Sequence, residues 1–184
     1  MNKDVFTANR IEGRELLQRS IVESFKDLHP YAIHLFGSGP DGFKDELSDI
    51  DIWVTFKDKD IKTALKRLST TFKKIAPVLV RHHSKSWSPI GGSANSIIHS
   101  TAQGLFVVDY YVSKLSETTI KTGSKALYGA DSLKRGEWKL NRHVNEKIHD
   151  SHTIRKDINL LIDLIFISFK GIVRKWDDKA FIST

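Results

Sequence analysis

The chain contains no cysteine among its 184 residues. Neither a disulfide nor a thiolate metal site can form, and the absence fits a reducing compartment. The opening "MNKDVFTANRIEGRELL" lacks the apolar core of a signal peptide. The most apolar run, "INLLIDLIFISF" at 158–169, carries Asn159 and Asp163 and is too short to span a bilayer. A cytoplasmic protein without a membrane partner is expected. Internal repeats and low-complexity tracts are also missing, and with 40% apolar residues no stretch reads as disordered by composition. Acidic residues are the minority, 22 against 29 basic ones, for a net charge of +7. That balance suits a polyanion, either a nucleotide or a nucleic acid, although lysine serving solubility is the stronger explanation and a nucleic acid is not favoured.

The remaining pattern is mixed. Ile11, Leu17, Ile21, Phe25 and Leu28 recur at helical spacing over 10–28, ended by His29-Pro30. "YAIHLF" (31–36) predicts a strand, "GSGPDG" a turn, and "DIDIWVTF" (49–56) a second strand. Ile61, Leu65, Leu68, Phe72 and Ile75 predict a helix over 60–75. Strands follow at 77–82, 96–100 and 104–112, the last two as a hairpin, with a loop at 86–95. Residues 113–152 carry no clear period, and an apolar helix is expected from Thr153 to about Arg174. The expected fold is α+β (α/β): a mixed sheet flanked by helices, one domain over 1–150, and a C-terminal helical segment over 151–184. That segment packs on the domain or on a partner, with a dimer through the apolar helix as one outcome.

Chemistry concentrates in "HLFGSGPDGFKDELSDIDIWVTF", residues 34–56. Asp49 and Asp51 are two apart, so on a strand both carboxylates share one face, Cα atoms about 6.5–7 Å apart. Like charges so close call for a cation between them. Hard oxygen ligands favour Mg²⁺ or Mn²⁺, and Mg²⁺ is commonly shared with substrate phosphates. The Gly37-Ser38 turn complements this, because glycine permits close backbone approach and the turn's N–H groups and the Ser38 hydroxyl can donate to phosphate oxygens. No Gly-Lys-Ser/Thr follows, so the turn is not a P-loop. Asp109, mid-strand in "LFVVDYYV", is expensive there unless paired. It joins the cluster if its strand lies beside that of Asp51; otherwise an ion pair with an arginine such as Arg81 would account for it.

"LFGSGPDGFKDELSDIDIWV" resembles the signature of the nucleotidyltransferase superfamily typified by DNA polymerase beta. With Ser48 directly before Asp49, it is closest in form to bacterial streptomycin/spectinomycin and lincosamide nucleotidyltransferases and to minimal nucleotidyltransferases. The resemblance implies the nucleotidyltransferase fold and the roles. Gly37, Ser38 and Ser48 would lie on the nucleotide, while Asp49, Asp51 and Asp109 would be the catalytic carboxylates holding two Mg²⁺. ATP or another NTP would be the co-substrate, with AMP passing to the hydroxyl of a small molecule, an antibiotic being one candidate.

The acceptor is less legible. A basic chain argues mildly against polycationic aminoglycosides. Trp53, Trp87, Tyr110 and Tyr111 offer stacking surfaces, though core packing explains most of them, and the eight histidines show no metal-ligand spacing. His82 and His83 could touch phosphate or simply end a strand. Two alternatives stand beside the small-molecule reading: an enzyme that modifies a protein or RNA partner in the manner of an antitoxin, and a catalytically silent nucleotide-binding module.

Overall fold

Apolar residues repeating every three to four positions make two helices whose buried faces lie against one sheet. In α1 (Lys3–Lys26), Leu17, Ile21 and Phe25 are buried; in α2 (Ile61–Ile75), Ile61, Ala64, Leu68, Phe72 and Ile75 are buried. The structure, a computed structural model, describes residues 3–42, 45, 47–137, 140, 158–162 and 164–167. α1 begins seven residues earlier than the apolar stripe suggests and closes at Lys26. The N–H groups of Leu28 and His29 then bond to Phe25 and Lys26 carbonyls at 2.9 Å each. His29, held before Pro30, takes a positive φ of 54°.

Six strands form a single mixed sheet: β1 (Ala32–Phe36), β2 (Ile50–Phe56), β3 (Val78–Ser84), β4 (Ser93–Thr101), β5 (Gly104–Lys114) and β6 (Lys125–Gly129). Their spatial order is β3-β4-β5-β2-β1-β6. Every neighbouring pair is antiparallel except β2 and β5, which run parallel. The expected hairpin is present as β4–β5, longer than anticipated because its strands begin at Ser93 and reach Lys114. β6 and a short 3-10 turn, Leu115–Glu117, fall in the stretch that carries no clear period. Asp49 lies one residue outside β2 rather than within it.

The two faces of the sheet are buried differently. One face carries Ile33, Leu35, Ile52, Val54, Phe56, Ile97, Val108 and Tyr110 into the main core beneath α1 and α2. Tyr110 meets Phe72 at 4.7 Å and Phe25 at 6.0 Å between ring centroids. The other face holds a smaller cluster of Ala32, Phe36, Trp53, Ile120 and Leu133. Trp53 is stacked on Tyr111 (5.4 Å, 4°) and donates Nε1–H to Ser113 Oγ at 2.7 Å. Beneath β1, His34 Nε2 is 3.3 Å from Asp131 Oδ1, which accepts a 2.7 Å bond from Arg135. The second face is therefore half closed, and the open half carries the carboxylates.

Residues 158–162 and 164–167 are helical. Asn159 donates Nδ2–H to the Arg81 carbonyl at 2.8 Å, so this segment is tied to edge strand β3. The rest of the helix expected over 153–174 lies outside the described residues.

Candidate active site

Cross-strand register decides which side chains share a face. Phe36 pairs with Asp51, Asp51 with Asp109, Asp109 with Ser96, and Ser96 with His82. Direct partners point the same way, and neighbouring strands are about 4.8 Å apart. One row across five strands therefore reads Phe36, Asp51, Asp109, Ser96, His82. The next row on the same face reads His34, Trp53, Tyr111, Ala94, Ser84. Asp49, just before β2, lines the same cleft as Asp109. The three aspartates singled out from sequence are brought to one place, each half-buried.

Arg81 is not placed to pair with Asp109. It registers with Ile97, and Ile97 with Val108, which puts it on the opposite face. Its guanidinium lies 5.2 Å from the Phe72 ring, and Nε donates to Asn95 Oδ1 at 2.9 Å. The pairing of Asp109 with Arg81 fails for this geometric reason.

Gly37 connects the turn to the carboxylates. Its φ is +68°, and a Cβ built there would fall 2.0 Å from Asp51 Oδ2 and 2.9 Å from Asp51 Cγ. The turn backbone thus rests directly on the Asp51 carboxylate, an approach that only glycine allows. Ser38 follows, half-exposed, and the chain folds back through Gly39 N–H to Phe36 O at 3.3 Å.

Ser48 is buried and belongs to a tight turn. Its hydroxyl donates to Asp45 Oδ1 at 3.3 Å and accepts from Asp45 N–H at 3.2 Å, while Leu47 N–H donates to the same carboxylate at 2.9 Å. This knot sets where Asp49 emerges. Arg14, 3% exposed, donates Nη2–H to the carbonyls of Asp45 (2.6 Å) and Ser48 (3.2 Å). Arg10, one helical turn earlier, lies 3.8 Å over the Phe106 ring and bonds to the Leu105 carbonyl. Burial and then the charge of Arg14 bring its pKa down to about 10, with Asp49 pulling the other way. Two buried cations thus sit behind Asp49. The sequence reading missed both; the available signal was an arginine pair at i, i+4 flanking the buried stripe of α1.

The aspartates' charge is felt by their neighbours. The Tyr111 phenol is pushed above its usual range, first by burial and then by Asp109 and Asp51. Among the four stacking candidates, Trp53 and Tyr110 are core, Tyr111 is half-buried in the cleft, and Trp87 is 53% exposed at its rim. His82 lines the cleft, whereas His83 registers on the core face.

Among the described residues no group of three or more His, Asp or Glu is placed so that it could hold a metal ion. The donor set is an open one of carboxylates from β2, β5 and the residue before β2. Hard oxygen donors suit a magnesium ion that keeps most of its water and shares substrate oxygens, so what fits such an ion is the chemistry of the donors and not a preformed set of three.

Residues 18–97 match the model of the nucleotidyltransferase domain family. With the mixed sheet and this carboxylate row, the match supports the nucleotidyltransferase superfamily, and a domain of that kind implies an NTP substrate. No curated protein matches the chain. Among the described residues no helix is long and apolar enough to cross a membrane.

Proposed function

We propose that the protein is a magnesium-dependent nucleotidyltransferase that moves a nucleoside monophosphate, AMP from ATP in the first instance, to a hydroxyl of a small molecule. The observation that carries this reading is the pairing of Asp51 with Asp109 on parallel strands, with Asp49 beside them and Gly37 packed on the Asp51 carboxylate.

Asp49, Asp51 and Asp109 would hold the magnesium ions, which supply charge stabilisation at the α-phosphate and the leaving pyrophosphate. The chain's own groups do the rest. Gly37 keeps the turn backbone low enough for its N–H groups, with the Ser38 hydroxyl, to meet phosphate oxygens. Ser48 and Arg14 fix the turn that delivers Asp49. Asp109 lies mid-row, with Ser96 and His82 continuing the row on its far side from Asp51; it accepts the proton of the attacking hydroxyl.

The test is pyrophosphate release from each of the four NTPs with Mg²⁺ and a panel of hydroxylated acceptors. Asp49→Asn and Asp51→Asn should each abolish release while the circular dichroism spectrum stays native. Full activity in either variant ends the two-metal reading.

A further inference from the structure

The cleft beside the carboxylates is asymmetric, and its asymmetry bears on the acceptor. The Gly37-Ser38 turn belongs to the β1 side of Asp51. A cavity of about 510 Å³ opens on the other side, over β5, β4 and β3. That volume lies within the range for small organic ligands. One wall is the described part of the C-terminal helix, through Leu160 and Leu164; another is Trp87; the floor is Val107 and Tyr111. Between them Ser84, Ser96 and His82 supply hydroxyl and imidazole groups.

Trp87 is held in place. Its own N–H donates to Ser84 Oγ at 3.3 Å. Ser88 Oγ donates to the Ser84 carbonyl at 2.6 Å and accepts from Ala94 N–H at 2.9 Å. The indole, 53% exposed on a loop fastened by three hydrogen bonds, lines the cavity.

Charge narrows the class of ligand. Among the described residues lining the cavity there is no lysine or arginine, so a phosphate-bearing acceptor would meet hydroxyl, amide and imidazole groups there and no standing cation. The acidic residues are Asp49 and Asp109, the two already engaged in the proposed reaction. A polycationic amino sugar would have to bury several ammonium groups against leucine, valine and indole, which is costly without counter-charges.

We propose that this cavity is the acceptor subsite, and that its acceptor is an uncharged hydroxylated molecule with a flat or apolar face, stacked on Trp87 with its hydroxyl at Asp109. The proposal rests on the nucleotidyltransferase reading above, and the experiment separates the two. The full chain is first titrated with α,β-methylene ATP and Mg²⁺; absence of binding rejects the nucleotide reading itself. Three probes are then titrated against the nucleotide complex: 4-nitrophenyl β-D-glucoside, uncharged and aromatic; kanamycin, polycationic; and uridine monophosphate, anionic. The glucoside should bind and the charged probes should not. Trp87→Ala should weaken the glucoside at least tenfold and leave the ATP analogue's affinity unchanged. Leu164→Asp should weaken the glucoside and strengthen kanamycin. Binding of the ATP analogue without the glucoside at millimolar concentration, tighter binding of kanamycin or uridine monophosphate, or an unchanged glucoside affinity in Trp87→Ala overturns the assignment.

Discussion

Replacing Gly37 by alanine tests the contact between turn and carboxylate. Two separate effects are expected. The first is local: at φ +68° an alanine is strained by about 1–2 kcal/mol relative to glycine. The second depends on Asp51. The new Cβ would lie 2.0 Å from Oδ2, while ordinary contact begins at 3.4 Å, so the carboxylate must withdraw by more than 1 Å. A displacement of that size at a reacting centre lowers turnover by about 10²-fold. The two effects separate in a double-mutant cycle. In an Asp51→Ala background Oδ2 and Cγ are gone, and the remaining Asp51 neighbour, Cβ at 3.4 Å, is in normal contact. Urea denaturation should therefore show a larger loss for Gly37→Ala with Asp51 present than with Asp51→Ala. The coupling should lie within the range of about 0.5–3 kcal/mol seen for touching residues. Pyrophosphate release measured on the same proteins should fall in Gly37→Ala although the fold persists. Equal stability losses in both backgrounds, within about 0.5 kcal/mol, would refute the argument that Gly37 is kept small by the carboxylate.

Three further outcomes are expected. Asp109→Asn should cut turnover by at least about 10²-fold, as loss of a general base does, with much less effect on ATP-analogue binding by calorimetry; equal losses in both would move Asp109 from proton acceptor to nucleotide ligand. Arg14→Met removes the charged donor to Asp45 and Ser48 and should lower stability by about 1.5–3 kcal/mol while raising the Mg²⁺ concentration needed for half-maximal activity; an unchanged Mg²⁺ titration would make Arg14 purely structural. His99 is buried, with Nδ1 3.2 Å from the Ala76 carbonyl and Nε2 3.0 Å from the Tyr110 hydroxyl, and burial lowers its pKa. The unfolded chain then binds the proton more readily, so the stability His99 contributes is complete above about pH 6.5 and declines as pH falls below it, by up to about 1.4 kcal/mol per unit. His99→Gln should flatten that slope in thermal melts between pH 6.5 and 5, and an unaltered slope would place the titrating group elsewhere.

Alternation made β2 legible, because Ile50, Ile52, Val54 and Phe56 share a parity that a half-buried strand requires. Both helices were legible for the same reason at period 3.6. The Gly-Ser turn and Asp-x-Asp spacing were visible because they are local. The placement of Asp109 was conditional on strand order, which periodicity does not encode; only the parallel β2–β5 register puts it opposite Asp51. β6 escaped because "KALYG" is a short edge strand whose burial comes from pairing with β1 rather than from its own pattern. Arg10 and Arg14 escaped because charged residues on a helix normally face water. Here they are drawn under the site by backbone carbonyls and a phenyl ring.

The parallel pairing of β2 with β5 has a consequence for how the protein acquires activity. Between those strands the chain must build α2, β3 and β4, and β5 must then insert beside a strand made much earlier. Parallel neighbours of such sequence separation form slowly, because loop closure precedes any reward from contact. Asp49 and Asp51 leave the ribosome long before Asp109 does. A nascent chain that has completed its signature motif thus still lacks the third carboxylate of the proposed site, and the carboxylate row closes only when the sheet does. Recovery of activity during refolding becomes a clock for the last long-range step, distinct from the earlier return of helical signal.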